Sequence, residues 1–116
     1  MQITGRVYVK VDGDLLRSKQ GAKLMYGGVR REAVIGNQVD GFTEEAVAPE
    51  VECTISHAAD TSLAKLAAIK DATLTFETDT GKTFVLRGAF LTDPPELTGG
   101  QGEVPLKFSA ISCEEV

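Results

Sequence analysis

Apolar and polar side chains alternate over residues 4–11. Val7, Val9 and Val11 share one face, and Arg6, Tyr8 and Lys10 share the other, which is the pattern of a half-buried strand. The same period of two recurs over 50–56, where Val51, Cys53 and Ile55 face in and Glu50, Glu52, Thr54 and Ser56 face out. It recurs again over 72–79, with Leu74 and Phe76 in and Thr73, Thr75, Glu77 and Asp79 out. Residues 83–91 and 103–112 complete the series, and Pro105 marks the last strand as an edge or a bulge. Turn residues separate these runs at Asp12-Gly13-Asp14, Gly36-Asn37, Asp40-Gly41, Thr80-Gly81-Lys82 and the 93–102 loop. Between them, 29–35 reads as a short strand or turn-like piece and 42–48 as a strand.

One stretch changes period. Leu63, Leu66 and Ile69 or Ala67 make a helical stripe over 60–70, with Asp60 as the expected N-cap and Lys65 and Lys70 toward the C-terminal end. Residues 15–28 fit neither period. Leu15, Leu16, Leu24, Met25 and Tyr26 are interrupted by Arg17, Ser18, Lys19, Gln20 and Gly21. That predicts an extended loop or hairpin arm whose apolar residues would rest against a neighbour. The sum is a mainly β (α+β) domain over 1–116: a small barrel or sandwich of about seven strands, one flanking helix near 60–70, and the arm.

Charge sharpens the picture. The chain has 116 residues and a net charge of −5. Residues 1–31 hold seven basic and two acidic side chains, whereas 32–116 hold five basic and fifteen acidic. An acidic chain with few aromatics does not read as a free-standing nucleic-acid binder. A basic end on an acidic body suits head-to-tail contact between copies of one chain, with Arg30 and Arg31 as a candidate basic interface. The N-terminus has no signal-peptide core, and no apolar run reaches membrane-spanning length. The expectation is a soluble protein made in a cytoplasm, without a membrane anchor.

Reactive chemistry is sparse. The lone His57 has no evident nucleophile to serve, and the chain carries no GxSxG, HExxH, Walker A or GxGxxG pattern. Gly99-Gly100-Gln101-Gly102 reads as a turn, since no helix follows it. Cys53 and Cys113 lie sixty residues apart without a CxxC, which predicts free thiols and no metal site; Cys53 should be an inert core residue. The carboxylates Glu50, Glu52, Glu77 and Asp79 lack the aromatic platform a glycosidase would pair with them and read as a solvated acidic face. No cofactor is expected, and catalysis is the least favoured class. A monomeric β-sandwich binding module stays open as an alternative, although no polar–aromatic cluster marks a ligand pocket.

Extended similarity goes further. The opening ITGRVYVKVDGDLLRSKQGAKL, then GGVRREAVIG, then the block from VECTISHAADTSLAKLAAIK to TLTFETDTGKTFVLRGAFLTDPPELTGGQGEVPLKF resemble the tail tube proteins of Mu-like tailed phages along nearly the whole length. The resemblance implies a virion protein that forms hexameric rings, stacked head to tail into a hollow tube that conducts DNA. It implies as partners the sheath or terminator, the baseplate, the tape measure protein and, transiently, DNA in the lumen. Related tubes serve phage-derived contractile bacteriocins and type VI secretion, the alternative within one architecture. On this reading Glu50, Glu52, Glu77 and Asp79 are candidates to line the lumen, because their strand phase sets them opposite the core. Leu15, Leu16, Arg17, Lys19, Lys23, Leu24, Met25 and Tyr26 are the candidate intersubunit arm.

Overall fold

The computed structural model describes all residues of 1–116 except Arg17, Gln20, Ala59, Asp60 and Gln101. Ten strands and one helix occur among the described residues. They are β1 (Val7–Val11), β2 (Asp14–Leu15), β3 (Lys23–Met25), β4 (Gly28–Ile35), β5 (Val39–Val47), β6 (Glu50–Ser56), α1 (Leu63–Ala67), β7 (Ala72–Thr78), β8 (Thr83–Leu91), β9 (Glu103–Ser109) and β10 (Ser112–Glu115).

The alternating runs become the central strands. Val9 of β1 lies opposite Phe76 of β7, and Phe76 opposite Phe84 of β8. Cys53 of β6 lies opposite Leu106 of β9. Pairing follows the order β2-β1-β7-β8-β9-β6-β3, with β10 added to β8. Strand β8 joins both halves: its first residues pair with β7, whereas Phe90 and Leu91 pair with β9. The change of partner falls near Gly88, whose φ of 64° is a left-handed conformation that glycine adopts without strain. No strand pairing joins β2 to β3, so among the described residues the sheet is open rather than a closed barrel. Inward residues of both halves form one core in which Val9, Leu74, Leu86, Val51, Val104 and Phe108 are fully buried.

Three further expectations need correction. The helix is shorter than 60–70. Its N-cap is Ser62, whose Oγ accepts from the Lys65 amide at 3.3 Å; Asp60 lies outside the described residues. The helix stops at Ala67, and the Ile69 carbonyl just beyond it accepts from the Leu91 amide at 3.1 Å, which ties the chain to β8 instead of continuing the helical ladder. The last predicted strand divides into β9 and β10, since the Ala110 amide donates to the Pro49 carbonyl at 3.1 Å and turns the backbone.

The third correction concerns the shape of the arm. The described residues of 15–25 run across the open side of the body instead of projecting. The Leu16 amide donates to the Val9 carbonyl (2.8 Å) and the Lys19 amide to the Thr54 carbonyl (2.7 Å), so this stretch straps β1 to β6. Leu16, Ala22 and Leu24 pack against the core. The segment that projects is the β4–β5 hairpin, a separate two-stranded sheet. Strands of eight and nine residues span roughly 27 Å, and the molecule accordingly measures 61 × 36 × 27 Å.

Candidate assembly surfaces

All of β4 is exposed, and so is all of β5 except the half-buried Gly41 and Val47. Residues directly opposite one another across the hairpin share a face. Val29 pairs with Ala46, Arg31 with Glu44, Ala33 with Phe42, and Ile35 with Val39. That face is apolar apart from the Arg31–Glu44 ion pair at 3.5 Å. The Arg31 guanidinium also lies over the Phe42 ring, 5.9 Å from its centre. The other face is polar at its centre, with Arg30 opposite Glu45 and Glu32 opposite Thr43, between Val47 opposite Gly28 and Val34 opposite Gly41. The hairpin is thus amphipathic, with its apolar face turned to solvent: Ile35, Val39 and Phe42 are 73%, 65% and 59% exposed. Its base is fixed by close approach. Gly27 has φ of 84°, and a Cβ there would lie 2.7 Å from the Pro49 nitrogen.

The residues expected to form the arm are divided by the fold. Leu16 and Leu24 are partly buried against the core, whereas Leu15, Met25 and Tyr26 are exposed. Tyr26 meets the Phe84 ring edge-on at 6.2 Å between centres. Lys19 pairs with Glu103, and Lys23 stands opposite Glu52. Arg17 lies outside the described residues. Arg30 and Arg31 both fall on β4 and point to opposite faces of the hairpin.

The four acidic candidates do not form one surface. Glu50 and Glu52 lie on the outer face of β6, and both share Lys107 of β9 at 3.8 Å. Glu77 lies on β7 in the other half of the sheet and pairs with Lys10 at 3.2 Å. Asp79 accepts from the Gly5 and Arg6 amides at 3.2 and 3.1 Å, which ties the N-terminal segment to the β7–β8 turn. Beside Glu52 lies a depression of about 560 Å³ that also takes in Lys23, Asp93, Glu96 and Lys107. It is charged and has no aromatic lining among the described residues. Sequence reasoning misses the hairpin as a unit because 29–35 and 42–48 look weak separately. The available signal is the match of the basic Arg30-Arg31 with the acidic Glu44-Glu45 across a Gly36-Asn37 turn.

Burial pushes the Cys53 thiol up to about 11. Cys113, half-buried on β10, is raised first by burial and then by the neighbouring Glu114. Lys82 is raised by its hydrogen bond to Glu115 at 2.8 Å. His57 is held through its backbone amide, which donates to the Gly102 carbonyl at 2.7 Å. No group of three or more His, Cys, Asp or Glu suited to a metal ion occurs among the described residues. No helix among them is long and apolar enough to cross a membrane.

A family model for phage tail tube proteins matches residues 1–115. The chain is 35% identical over 115 residues to the Mu-like prophage FluMu tail tube protein of Haemophilus influenzae, covering 99% of this chain and 97% of the relative. It is 33% identical over 100 residues to the tail tube protein of Escherichia phage Mu, covering 86% and 85%. Among solved structures, the tube-terminating cap of the anti-feeding prophage superposes with a TM-score of 0.68 at 10% identity, covering 98% of this chain and 89% of the other. That last likeness is one of fold.

Proposed function

The chain belongs to the phage tail tube protein family, a structural component of the virion, and from that premise we propose that it builds the tube as hexameric rings stacked head to tail. The observation that carries the reading is the β4–β5 hairpin. A two-stranded hairpin in water is marginal by itself, and this one directs its apolar face away from its own core. Such a segment fits a subunit that completes its packing against a copy of itself. Contact between two different surfaces of one chain is heterologous, and it yields rings when the rotation closes.

The proposed lumen is the outer face of β3, β6 and β9. Glu50, Glu52, Asp93 and Glu96 outnumber Lys23 and Lys107 there. On the opposite face Lys10 and Arg87 balance Glu77 and Glu114. A surplus of negative charge repels DNA phosphates and keeps a passing duplex from adhering. The sheath or terminator, the baseplate and the tape measure protein are the partners this role requires, and synthesis takes place in the host cytoplasm.

Electron microscopy of the purified, concentrated protein, alone and with baseplate components added, tests the reading. Rings or hollow tubes with a central channel are expected. Particles that stay monomeric in both preparations overturn it. Reversing Glu50 and Glu52 to Lys should slow DNA ejection from virions with intact tails, and unchanged ejection rejects this lumen.

A further inference from the structure

The outer edges of the hairpin and of β10 are strand edges left unpaired among the described residues: β4 and β5 pair only with each other, and β10 pairs only with β8. Exposed edges carry free backbone donors and acceptors and invite a further strand. Resting on the self-assembling reading above, we propose that β4 of one copy adds to β10 of the next as an antiparallel strand. The register sets Val29 opposite Val116, Arg30 opposite Glu115, Arg31 opposite Glu114, Glu32 opposite Cys113, and Val34 opposite Ile111.

Charge selects these two edges. Consecutive Arg30 and Arg31 meet consecutive Glu114 and Glu115, and opposite charges directly across a strand pair are favourable. The β5 edge carries Glu44 and Glu45 and would set like charges against β10. The other edges of the body suit β4 less: β3 brings Lys23 against arginines, and β2 has only two residues. Apolar matching selects the register. The antiparallel alignment that pairs the charges also flanks them with apolar residues on both sides. Val29 and Val34 are 46% and 45% exposed in the single chain, and Ile111 and Val116 are 81% and 75% exposed. A parallel alignment with the same charges paired sets Glu32 against Val116 and loses that match. Donor edge and acceptor edge lie on different parts of one chain, so the contact repeats from copy to copy and gives a ring where the rotation closes.

The native Cys113 makes the register testable. Directly opposed strand residues bring their Cβ atoms to about 4.5–5.5 Å, close to the separation a disulfide needs. Glu32 is exposed on β4, so Glu32→Cys should leave the subunit intact. Mild oxidation of Glu32→Cys tubes with diamide should give a ladder of cross-linked oligomers on a non-reducing gel. The ladder should vanish in Glu32→Cys/Cys113→Ser and be weak in Arg31→Cys. Tubes of Glu32→Cys that form normally but do not cross-link overturn the register while leaving the tube reading standing. Wild-type protein that forms neither rings nor tubes, alone or with baseplate components added, overturns both.

Charge exchange gives the second measurement. Arg30→Glu/Arg31→Glu and Glu114→Arg/Glu115→Arg should each lower tube yield at least about tenfold, the effect of roughly 1.4 kcal/mol in a contact, and a protein carrying all four changes should recover it. Arg31, Glu114 and Glu115 also have partners within their own chain at 3.5, 3.8 and 2.8 Å. Loss of those pairs would persist in the fourfold variant, so recovery is specific to contact between copies. No recovery, with each variant folded by circular dichroism, overturns the proposal.

Discussion

The body and the hairpin are built from the same kind of strand and are stabilised differently. In the body, strands with a strict period of two close their apolar faces over one another, and Phe108, Leu74 and Leu86 lose all contact with solvent. In the hairpin apolar residues also share a face, yet Phe42, Val39 and Ile35 stay in water. Burial therefore folds the body within one chain, while the hairpin's apolar face stays in water and, on the proposed function, awaits a copy. Mutations in the two regions should report on different processes: stability for the body, assembly for the hairpin.

The largest effect should come from Phe108→Ala. It empties the centre of the core, where Phe108 of β9 lies opposite Val51 of β6 and Leu91 of β8. The expected loss is about 3–5 kcal/mol, read as a shift in the urea midpoint. A loss under about 1 kcal/mol, far below the usual cost of such a cavity, would mean the core collapses around the gap, and the contrast with the hairpin would weaken.

Gly27→Ala tests the joint between the regions. It forces an L side chain to φ of 84° and drives its Cβ to 2.7 Å from the Pro49 nitrogen. The backbone on one side must shift, at a cost of about 1–3 kcal/mol, and the hairpin is re-aimed. Urea unfolding should show the loss, and electron microscopy should show few or no tubes. Normal tubes with unchanged stability would show that the hairpin's direction is not set at its base. A smaller change belongs to the body alone. Ser62→Ala removes the oxygen that accepts from the Lys65 amide and should cost about 1 kcal/mol, measured by the same urea titration, with assembly retained.

How much can be read from the sequence follows the same division. The strands over 50–56 and 72–79 are legible because each buries every second residue, and a strict period is what burial imposes; over 83–91 the period slips at Gly88, so that Leu86 and Ala89 are the buried residues. The strap is not. Leu16 and Leu24 reach the core from a stretch that bonds to β1 at one end and β6 at the other, and such crossing leaves no regular period. The hairpin is obscure for a related reason. Both of its faces touch water in the single chain, so its pattern mixes charges with apolar residues, and residues 15–28 look the better arm. Among the candidate residues, strand phase sets Glu50, Glu52 and Glu77 away from the core, as the fold does. It does not tell that β6 and β7 lie in different halves of the sheet, because phase fixes a face within a strand and says nothing of which strands are neighbours.

The smallest expected change in stability is the one that separates the two regions most sharply. Phe42→Ser removes an aromatic ring, as Phe108→Ala does, but from a side chain that is 59% exposed and lies beneath the Arg31 guanidinium. In the single chain the loss should amount to no more than the exposed cation–π contact, about 0.5–1 kcal/mol, and the urea midpoint should barely move. Tube formation should fall severalfold or more, because the ring's apolar surface is the part of the hairpin that only a neighbour can cover. If the single chain instead loses about as much stability as Phe108→Ala, the hairpin is packed within its own subunit in solution. The projecting arm then cannot be the piece that waits for a partner. If stability and tubes are both unaffected, the copies meet through some other face, and the exposed row from Val29 to Phe42 needs a different occupant.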